Sequence, residues 1–183
     1  MHDLNVFHRD VKAENFVLRQ NTLKGGVLLI DFGLATKNPG DWTGGKVGTQ
    51  GYFAPEVLQY CVSGMNYAPS KADIWSLGVT LFIVSHGRMP WTDICGRRYD
   101  HFAKEQANGH GACEAIYSYY KYKAMSPLAY ELTHIIDAMM KIAPQERPTA
   151  AEITTMSDAL HLLDTLNDAR DQVAGLDVLS RDR

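Results

Sequence analysis

The stretch HRDVKAEN at residues 8–15 is followed by DFG at residues 31–33. Between them, the apolar runs FVL at 16–18 and VLLI at 27–30 are separated by RQNTLKGG, whose Gly, Asn and Thr residues are typical of a turn. This pattern predicts two short antiparallel strands. Because a hairpin returns the chain to the end where it started, we expect four polar side chains to meet there: Asp10, Lys12, Asn15 and Asp31.

These four side chains have the chemistry that phosphoryl transfer requires. A carboxylate can position an attacking hydroxyl and accept its proton, a cation can stabilise the moving phosphoryl group, and oxygen ligands can hold Mg²⁺. Asp10 and Lys12 supply the first two groups, and Asn15 and Asp31 supply the oxygen ligands. In a simpler interpretation, Asp10 and Asp31 are cap and turn residues and Lys12 is a solvated surface cation.

Beyond the hairpin, the sequence changes from a glycine-rich segment to helical patterns. Residues 33–51 are rich in Gly, Thr, Lys and Asn without periodicity, so we expect a long functional loop. Pro55 is suited to the first turn of the next helix. Ser70 is expected to cap the helix after that, whose segment IWSLGVTLFIV at 74–84 is apolar on every face and should be buried in the core.

Further helices are predicted by apolar residues at helical spacing. Gly87 and Pro90 should end the buried helix. Apolar stripes then recur at 128–140 and at 153–163, and we expect both to pack in the core. Residues 96–122 have no readable pattern. The sequence therefore predicts a mainly helical domain with one small strand pair.

Composition and charge restrict the class of protein. The chain has 183 residues, of which 45% are hydrophobic, as is ordinary for one folded domain, so disorder throughout the chain is excluded. The formal net charge of −3 provides no basic field. Nucleic acid and anionic membrane surfaces are therefore disfavoured as partners.

Cysteine spacing and the apolar segments favour a cytoplasmic, intracellular protein. Cys61, Cys95 and Cys113 lie too far apart for a metal or redox motif, which favours a reduced compartment. The first ten residues carry charges and no apolar run, so we do not expect a secretory signal. The apolar segment 74–84 is far shorter than the about 20 residues that cross a bilayer.

In the order and spacing of its motifs, the sequence resembles the eukaryotic protein kinases. HRD and DFG are followed by APE at 54–56, DIWSLG at 73–78, GRMPW at 87–91 and ERPT at 146–149, and six ordered motifs exclude a chance match. The resemblance covers about residues 1–153. It implies the C-terminal lobe of a kinase, a mainly α helical bundle around a buried central helix, with a small β-hairpin that carries the catalytic and Mg²⁺-binding loops.

The resemblance implies catalytic roles by position. Asp10 would be the catalytic base, and Lys12 would contact the transferred phosphate of ATP. Asn15 and Asp31 would hold Mg²⁺. Thr49, in VGTQGYFAPE, matches a threonine that bonds back to the catalytic loop and shapes the seat of the substrate hydroxyl. Lys12 and Thr49 together resemble the serine/threonine branch, so we expect protein substrates that are phosphorylated on Ser or Thr.

Two further positions are assigned by the resemblance to the substrate and nucleotide surfaces. Glu14, which we group with the nucleotide-site residues, stands where basophilic members use a carboxylate to meet an arginine of the peptide, which favours a basic substrate motif. Val17 matches a residue under the adenine ring. Ordinary strand packing explains an apolar residue at Val17 equally well.

Five positions match structural residues of the family. His8 and Phe32 match a hydrophobic spine that locks the active geometry. Glu56 and Arg147 match the partners of a buried salt bridge. Asp73 matches an anchor, on the buried helix, for the backbone of the catalytic loop.

Arg9, directly before Asp10, is a candidate for a regulatory role. In this family, an arginine such as Arg9 marks regulation by a phosphate on the activation loop. Gly45 occupies the position at which many relatives carry that phosphate, and Thr43, two residues away, is therefore the candidate phosphorylation site. The alternative is a loop that needs no phosphate.

The sequence has no counterpart of the kinase N-terminal lobe. Neither a GxGxxG loop nor a VAIK-like strand lysine occurs in it. We expect residues 1–153 to be the C-lobe portion of a kinase domain, covered by a missing N-terminal lobe or a partner chain, and inactive alone. Residues 154–183 are expected to be a helical tail with one apolar side formed by Leu160, Leu163 and Leu166. The alternative is a non-catalytic, kinase-like scaffold or binding module.

Overall fold

The computed structural model describes residues 1–21, 26–38, 40–91, 97–120 and 127–156. Helices predominate among these residues: α1 (Pro55–Ser63), α2 (Pro69–His86), α3 (Arg97–Ala107), α4 (Ala112–Tyr120), α5 (Pro127–Met139) and α6 (Ala150–Thr155). The strands are short: β1 (Val6–Phe7), β2 (Phe16–Leu18), β3 (Val27–Leu29) and β4 (Thr36–Lys37).

The predicted hairpin is confirmed. Strands β2 and β3 are antiparallel, with the pairs Phe16–Leu29, Val17–Leu28 and Leu18–Val27. Ile30, which we expected within the second strand, follows it and donates its backbone N–H to the carbonyl of Asn15 at 2.9 Å. This bond closes the open end of the hairpin, where residues 8–15 and 31–33 meet.

A second strand pair was not predicted. Strands β1 and β4 are antiparallel, with Val6 opposite Lys37 and Phe7 opposite Thr36. Two-residue strands are too short to show an alternating pattern in the sequence. Residues 33–51 therefore contain more regular structure than we expected from their composition. They include β4 and a bridge in which Thr43 and Tyr67 exchange both backbone hydrogen bonds at 2.9 Å.

The start of α2 differs from the prediction. Ser70 does not cap this helix, because Pro69 is its first residue and Ala68, without a side-chain bond, is its N-cap. Ser70 instead donates its backbone N–H to one carboxylate oxygen of Asp41 at 3.1 Å and its hydroxyl to the other. A carboxylate that is distant in sequence thus accepts hydrogen bonds at the N-terminus of α2, where the helix dipole favours a negative charge.

Helix α2 packs against α5 and supplies much of the core. Trp75, Val79 and Phe82 are fully buried. At Gly78 a Cβ would lie 2.8 Å from the side chain of Met140, so the absence of a side chain lets the two segments approach closely. Burial is not complete around the helix, because Val84 is 55% exposed. The helix ends at His86, and the following Gly87 is left-handed at φ 67°, as its sequence predicts.

The other predicted helices are present where the structure describes them. Pro55 begins α1 as expected. Residues 96–122 had no readable pattern, but they contribute α3 and α4, which pack on each other. The apolar stripe of α5 is buried at Leu132, Ile135, Ile136 and Met139. The side chain of Leu128, the apolar residues of the predicted tail and most of that tail lie outside the described residues.

A buried ion pair joins α1 to the segment between α5 and α6. The guanidinium of Arg147 donates to both carboxylate oxygens of Glu56, at 2.6 and 2.8 Å. Its other N–H groups donate to the backbone carbonyls of Lys71, Lys141 and Ile142. Because Arg147 is 2% exposed, its charge is compensated almost entirely by these partners.

We predict that Arg147→Lys destabilises the chain by about 3–5 kcal/mol, since one ammonium group cannot replace both the bidentate contact with Glu56 and the three hydrogen bonds to backbone carbonyls, which leaves buried acceptors unsatisfied. Urea unfolding of the 183-residue chain measures this loss. The control is Lys104→Ala, which removes an exposed cation from α3. A loss below about 1 kcal/mol for Arg147→Lys would show that the pair is not a main support of the fold.

Candidate active site

A carboxylate of α2 holds the backbone of residues 8–15. Asp73, which is 3% exposed, accepts the backbone N–H of His8 at 2.8 Å and that of Arg9 at 2.7 Å. Arg9 has a φ of 64°, a left-handed conformation that costs free energy in a residue with a side chain. The two hydrogen bonds that Asp73 accepts hold this conformation. The conformation in turn sets the direction of the backbone at Asp10.

Two side chains meet at the Asp10 carboxylate. The ammonium of Lys12 lies 2.8 Å from Asp10 Oδ2, and the hydroxyl of Thr49 donates to Asp10 Oδ1 at 2.7 Å. Lys12 also donates to the Thr49 hydroxyl oxygen at 2.8 Å, which closes a triangle of polar contacts. The structure therefore brings together Asp10, Lys12 and Thr49, the three residues to which the resemblance assigns catalytic roles.

The contacts in this triangle favour an ionised Asp10 and a protonated Lys12. Burial raises the pKa of the Asp10 carboxyl, but hydrogen bonds from Lys12 and Thr49 outweigh burial and hold that pKa below its ordinary value. The hydrogen bond to Asp10 raises the pKa of Lys12. At neutral pH the site thus contains an ionised carboxylate beside an ammonium group. Such a carboxylate can accept a hydrogen bond from a hydroxyl group.

The approach of Thr49 to this site depends on Gly48. Its φ is 114°, and a Cβ there would lie 2.5 Å from the backbone oxygen of Arg9. The same Cβ would lie 3.3 Å from the Phe53 ring and 3.5 Å from an Asp10 carboxylate oxygen. Only glycine fits such a contact with backbone. Gly48 was not among the predicted site residues, although a glycine directly before the candidate threonine was a usable signal.

Asn15 and Asp31 lie at the open end of the hairpin. Asn15 is 5% exposed and donates its side-chain amide to the backbone carbonyl of Asp10 at 2.8 Å, so its side-chain oxygen is the atom suited to bind a cation. Asp31 is exposed, with a φ of 64°, and its carboxylate accepts the N–H of Gly33 at 3.3 Å. The bond between Ile30 and Asn15 connects the two positions.

These oxygens fit a Mg²⁺ ion that shares its coordination with another ligand. Carboxylate and amide oxygens suit this ion, which usually takes one or two carboxylates together with phosphate oxygens and water. Within the described part of the chain, no group of three or more His, Cys, Asp or Glu side chains is placed to hold a metal ion. Asn15 and Asp31 would therefore need phosphate or water oxygens to complete the site.

His8 and Phe32 connect the two halves of the site. His8 is fully buried and its Nε2 lies 3.0 Å from the backbone oxygen of Ile30, while its Nδ1 lies 3.3 Å from the backbone nitrogen of Asp10. These partners fix one tautomer, with Nε2 as donor and Nδ1 as acceptor. The Phe32 and His8 rings pack in a T-shaped arrangement, with 4.9 Å between centroids, but Phe32 is 49% exposed.

Glu14 lies beside the triangle rather than in it. Its carboxylate is exposed and accepts the hydroxyl of Tyr52 at 3.2 Å. Burial, and then the nearby Glu14 charge, raise the pKa of Tyr52. Tyr52 was not predicted as a site residue, since a tyrosine outside a periodic element carries no pattern. Val17, on β2, is 38% exposed.

Arg9 reaches the candidate phosphorylation site. Its Nε donates to the backbone carbonyl of Leu34 at 2.8 Å, and one terminal nitrogen donates to the Thr43 hydroxyl at 3.4 Å. The Thr43 backbone is fixed by its bridge to Tyr67. A guanidinium group therefore faces the hydroxyl oxygen of Thr43 before any modification.

An apolar surface covers the hairpin and the DFG segment. We call it the hairpin patch, and its members are all exposed: Val17, Leu18, Val27, Leu28, Ile30, Phe32 and Leu34. Paired residues of the two strands share a face, so Val17 and Leu28 lie on one face of the hairpin and Leu18 and Val27 on the other. Exposed apolar residues concentrated in one segment favour an interaction site in a soluble protein. The patch lies next to Asp31, so a segment that covers it would also border the candidate site.

Comparisons with known proteins identify related sequences. The chain is 33% identical over 153 residues to sperm motility kinase 3A of Mus musculus, covering 83% of this chain. It is also 33% identical over 151 residues to the serine/threonine-protein kinase chk1 of Schizosaccharomyces pombe, covering 80% of this chain. The matches span only 26% and 27% of the lengths of these relatives.

Within the described residues, no helix combines the length and apolarity needed to cross a membrane.

The family comparison extends over most of the chain. Residues 1–157 match the model of the family described as protein kinase domain. The chain therefore belongs to the protein kinase family.

Proposed function

We propose that this chain carries the catalytic loop and metal-binding half of a serine/threonine protein kinase. The observation that carries the proposal is that Lys12 contacts one carboxylate oxygen of an ionised Asp10 and Thr49 contacts the other. This arrangement places a proton acceptor, a cation and a hydroxyl group in mutual contact. The names of the relatives, among them a serine/threonine-protein kinase, support the same reaction.

In the proposed mechanism, Asp10 orients the hydroxyl of a substrate Ser or Thr and accepts its proton as the oxygen attacks the γ-phosphorus of ATP. The new O–P bond forms while the bond to the leaving ADP oxygen breaks. Lys12 stabilises the charge of the transferred group and Thr49 keeps Asp10 in position. Mg²⁺, held by Asn15 and Asp31, would supply positive charge beside the phosphates.

The hairpin patch supports a second part of the proposal. We propose that a phosphate-clamping lobe, from the same protein or from a partner chain, covers this apolar surface and places ATP against Val17. Positioning supplies most of the catalysis in phosphoryl transfer, so the 183-residue chain should be inactive without that lobe. Exposed Glu14 would favour a basic residue on the peptide.

The alternative function is that of a non-catalytic, kinase-like scaffold, which the exposed hairpin patch also supports.

We predict that the chain alone transfers no radiolabelled phosphate from ATP to a basic serine peptide. The chain joined in frame to a lobe with a Gly-rich loop and a phosphate-binding lysine should transfer it. Asp10→Asn should lower this activity about 10²–10⁴-fold, the usual contribution of a proton acceptor. Asp100→Asn, which removes an exposed carboxylate from α3, is the matched control and should retain activity.

Two results decide between the alternatives. A joined protein that remains inactive with ATP and Mg²⁺ would favour the scaffold, and full activity of Asp10→Asn would contradict the role of Asp10.

We also propose that Thr43 accepts a regulatory phosphate. Its hydroxyl already faces Arg9, and a phosphate there would gain charge-assisted hydrogen bonds to the guanidinium. These bonds would tie the segment after β4 to the backbone of residues 8–15.

We predict that phosphothreonine at position 43, introduced by genetic encoding, stabilises the chain by about 1–2 kcal/mol in urea unfolding. In the Arg9→Gln background this gain should disappear, because the guanidinium is absent. Thr43→Val controls for loss of the hydroxyl. An equal gain in both backgrounds, or none in the original, would remove Arg9 as the phosphate partner.

A further inference from the structure

The GRMPW motif at residues 87–91 ends in a tryptophan to which the proposed function gives no role. Trp91 is 3% exposed, and its ring packs against those of Trp75 and Phe102, with 5.8 and 5.3 Å between centroids. Packing alone does not distinguish an indole from another large aromatic ring. The indole differs by its N–H group, a donor that usually finds a hydrogen-bond partner when tryptophan is buried.

The indole N–H of Trp91 reaches the segment that carries Thr49. It donates to the backbone carbonyl of Gly51 at 2.9 Å, in a buried hydrogen bond. The next carbonyl along the chain, that of Tyr52, accepts the hydroxyl of Ser76 from α2 at 2.8 Å. Two side-chain donors from outside this segment therefore hold two successive carbonyls, which lie two and three residues after Thr49.

These carbonyls belong to a tight turn. Tyr52 donates its backbone N–H to the carbonyl of Thr49 at 3.2 Å, and Gly51, the third residue of the turn, has a φ of 104°. A turn with positive φ at its third residue favours glycine there. A Cβ on Gly51 would also collide with the side chain of Met89. Residues 87–91 therefore contact the turn through both a hydrogen bond and close packing.

We propose that Trp91 is a positioning residue, whose indole N–H holds the turn at residues 49–52 so that the Thr49 hydroxyl faces Asp10. The inference rests on the proposed function, because it concerns the carboxylate that would accept the proton of the substrate. Thr49 donates to Asp10 Oδ1 at 2.7 Å, and a shift of the turn would lengthen this contact. Catalytic groups must be held within about 0.5 Å of the productive geometry, which requires such support.

Trp75 provides a matched comparison for the test. Its indole is also fully buried, but its N–H has no hydrogen-bond partner among the residues that the structure describes. Genetically encoded benzothienylalanine has a sulfur atom in place of the indole N–H, so it nearly preserves the ring and removes the donor. At Trp91 this replacement leaves the Gly51 carbonyl without its donor, whereas at Trp75 it removes no described hydrogen bond.

The first measurement follows the Asp10 carboxyl by carbon NMR during a pH titration of the 183-residue chain, so it requires no phosphate transfer. The hydrogen bond from Thr49 is one of the contacts that hold the pKa of Asp10 below its ordinary value. We expect the pKa of Asp10 to rise when Trp91 is replaced, because Thr49 loses its alignment. It should stay unchanged when Trp75 is replaced.

The second measurement uses the joined protein. Replacement of Trp91 should lower kcat about tenfold or more and leave the KM for ATP unchanged, since it displaces Thr49 but no group that binds the nucleotide. Replacement of Trp75 should leave kcat as it is. An unchanged Asp10 pKa or kcat after replacement of Trp91, or equal changes at both positions, overturns the proposal.

Failure of the proposed function is seen separately. It appears as absence of phosphate transfer by the joined protein with its native tryptophans, whatever the NMR titration of the 183-residue chain shows.

Discussion

The carboxylate of Asp73 is the constraint on which the site depends. It is buried in α2, and it accepts the backbone N–H groups of two consecutive residues, His8 and Arg9. A buried carboxylate needs such donors, because an unpaired one would be costly to keep away from water. The strained backbone of Arg9 also needs an external support. The backbone N–H groups of His8 and Arg9 supply the donors that the Asp73 carboxylate needs, and the same hydrogen bonds support the strained backbone of Arg9. The direction of the chain at Asp10 is fixed as a result.

The remaining site residues are added to this fixed loop from two sides. The hairpin brings Asn15 and Asp31 to one end, and His8 joins that end to Ile30. From the other side, Gly48 lets the following threonine reach the Asp10 carboxylate. The helical core supplies rigidity to both sides. The hairpin patch is the part of this arrangement that the core leaves uncovered, and it is the basis for the proposal that a second lobe covers it.

The sequence predicts those features that depend on local residue patterns. The β2 and β3 hairpin follows from two apolar runs around a turn, and Pro55 and Gly87 mark helix ends through their own backbone preferences. Long-range contacts could not be predicted in this way. Asp41 reaches Ser70, Tyr52 reaches Glu14, and β1 pairs with β4 because the tertiary fold brings these residues together. The resemblance to kinases assigned roles to Asp10, Lys12 and Thr49, and only the tertiary fold shows that these three side chains are in contact.

The most direct test of this account is hydrogen exchange of the His8 and Arg9 amides in the 183-residue chain and in its Asp73→Ala variant. We expect exchange at both amides to become at least about tenfold faster in the variant, because each loses a hydrogen bond to a charged acceptor. Amides in the middle of α5 should retain their protection, which shows that the fold persists. Unchanged protection at His8 and Arg9, in a variant that remains folded, would contradict the claim that Asp73 holds the loop.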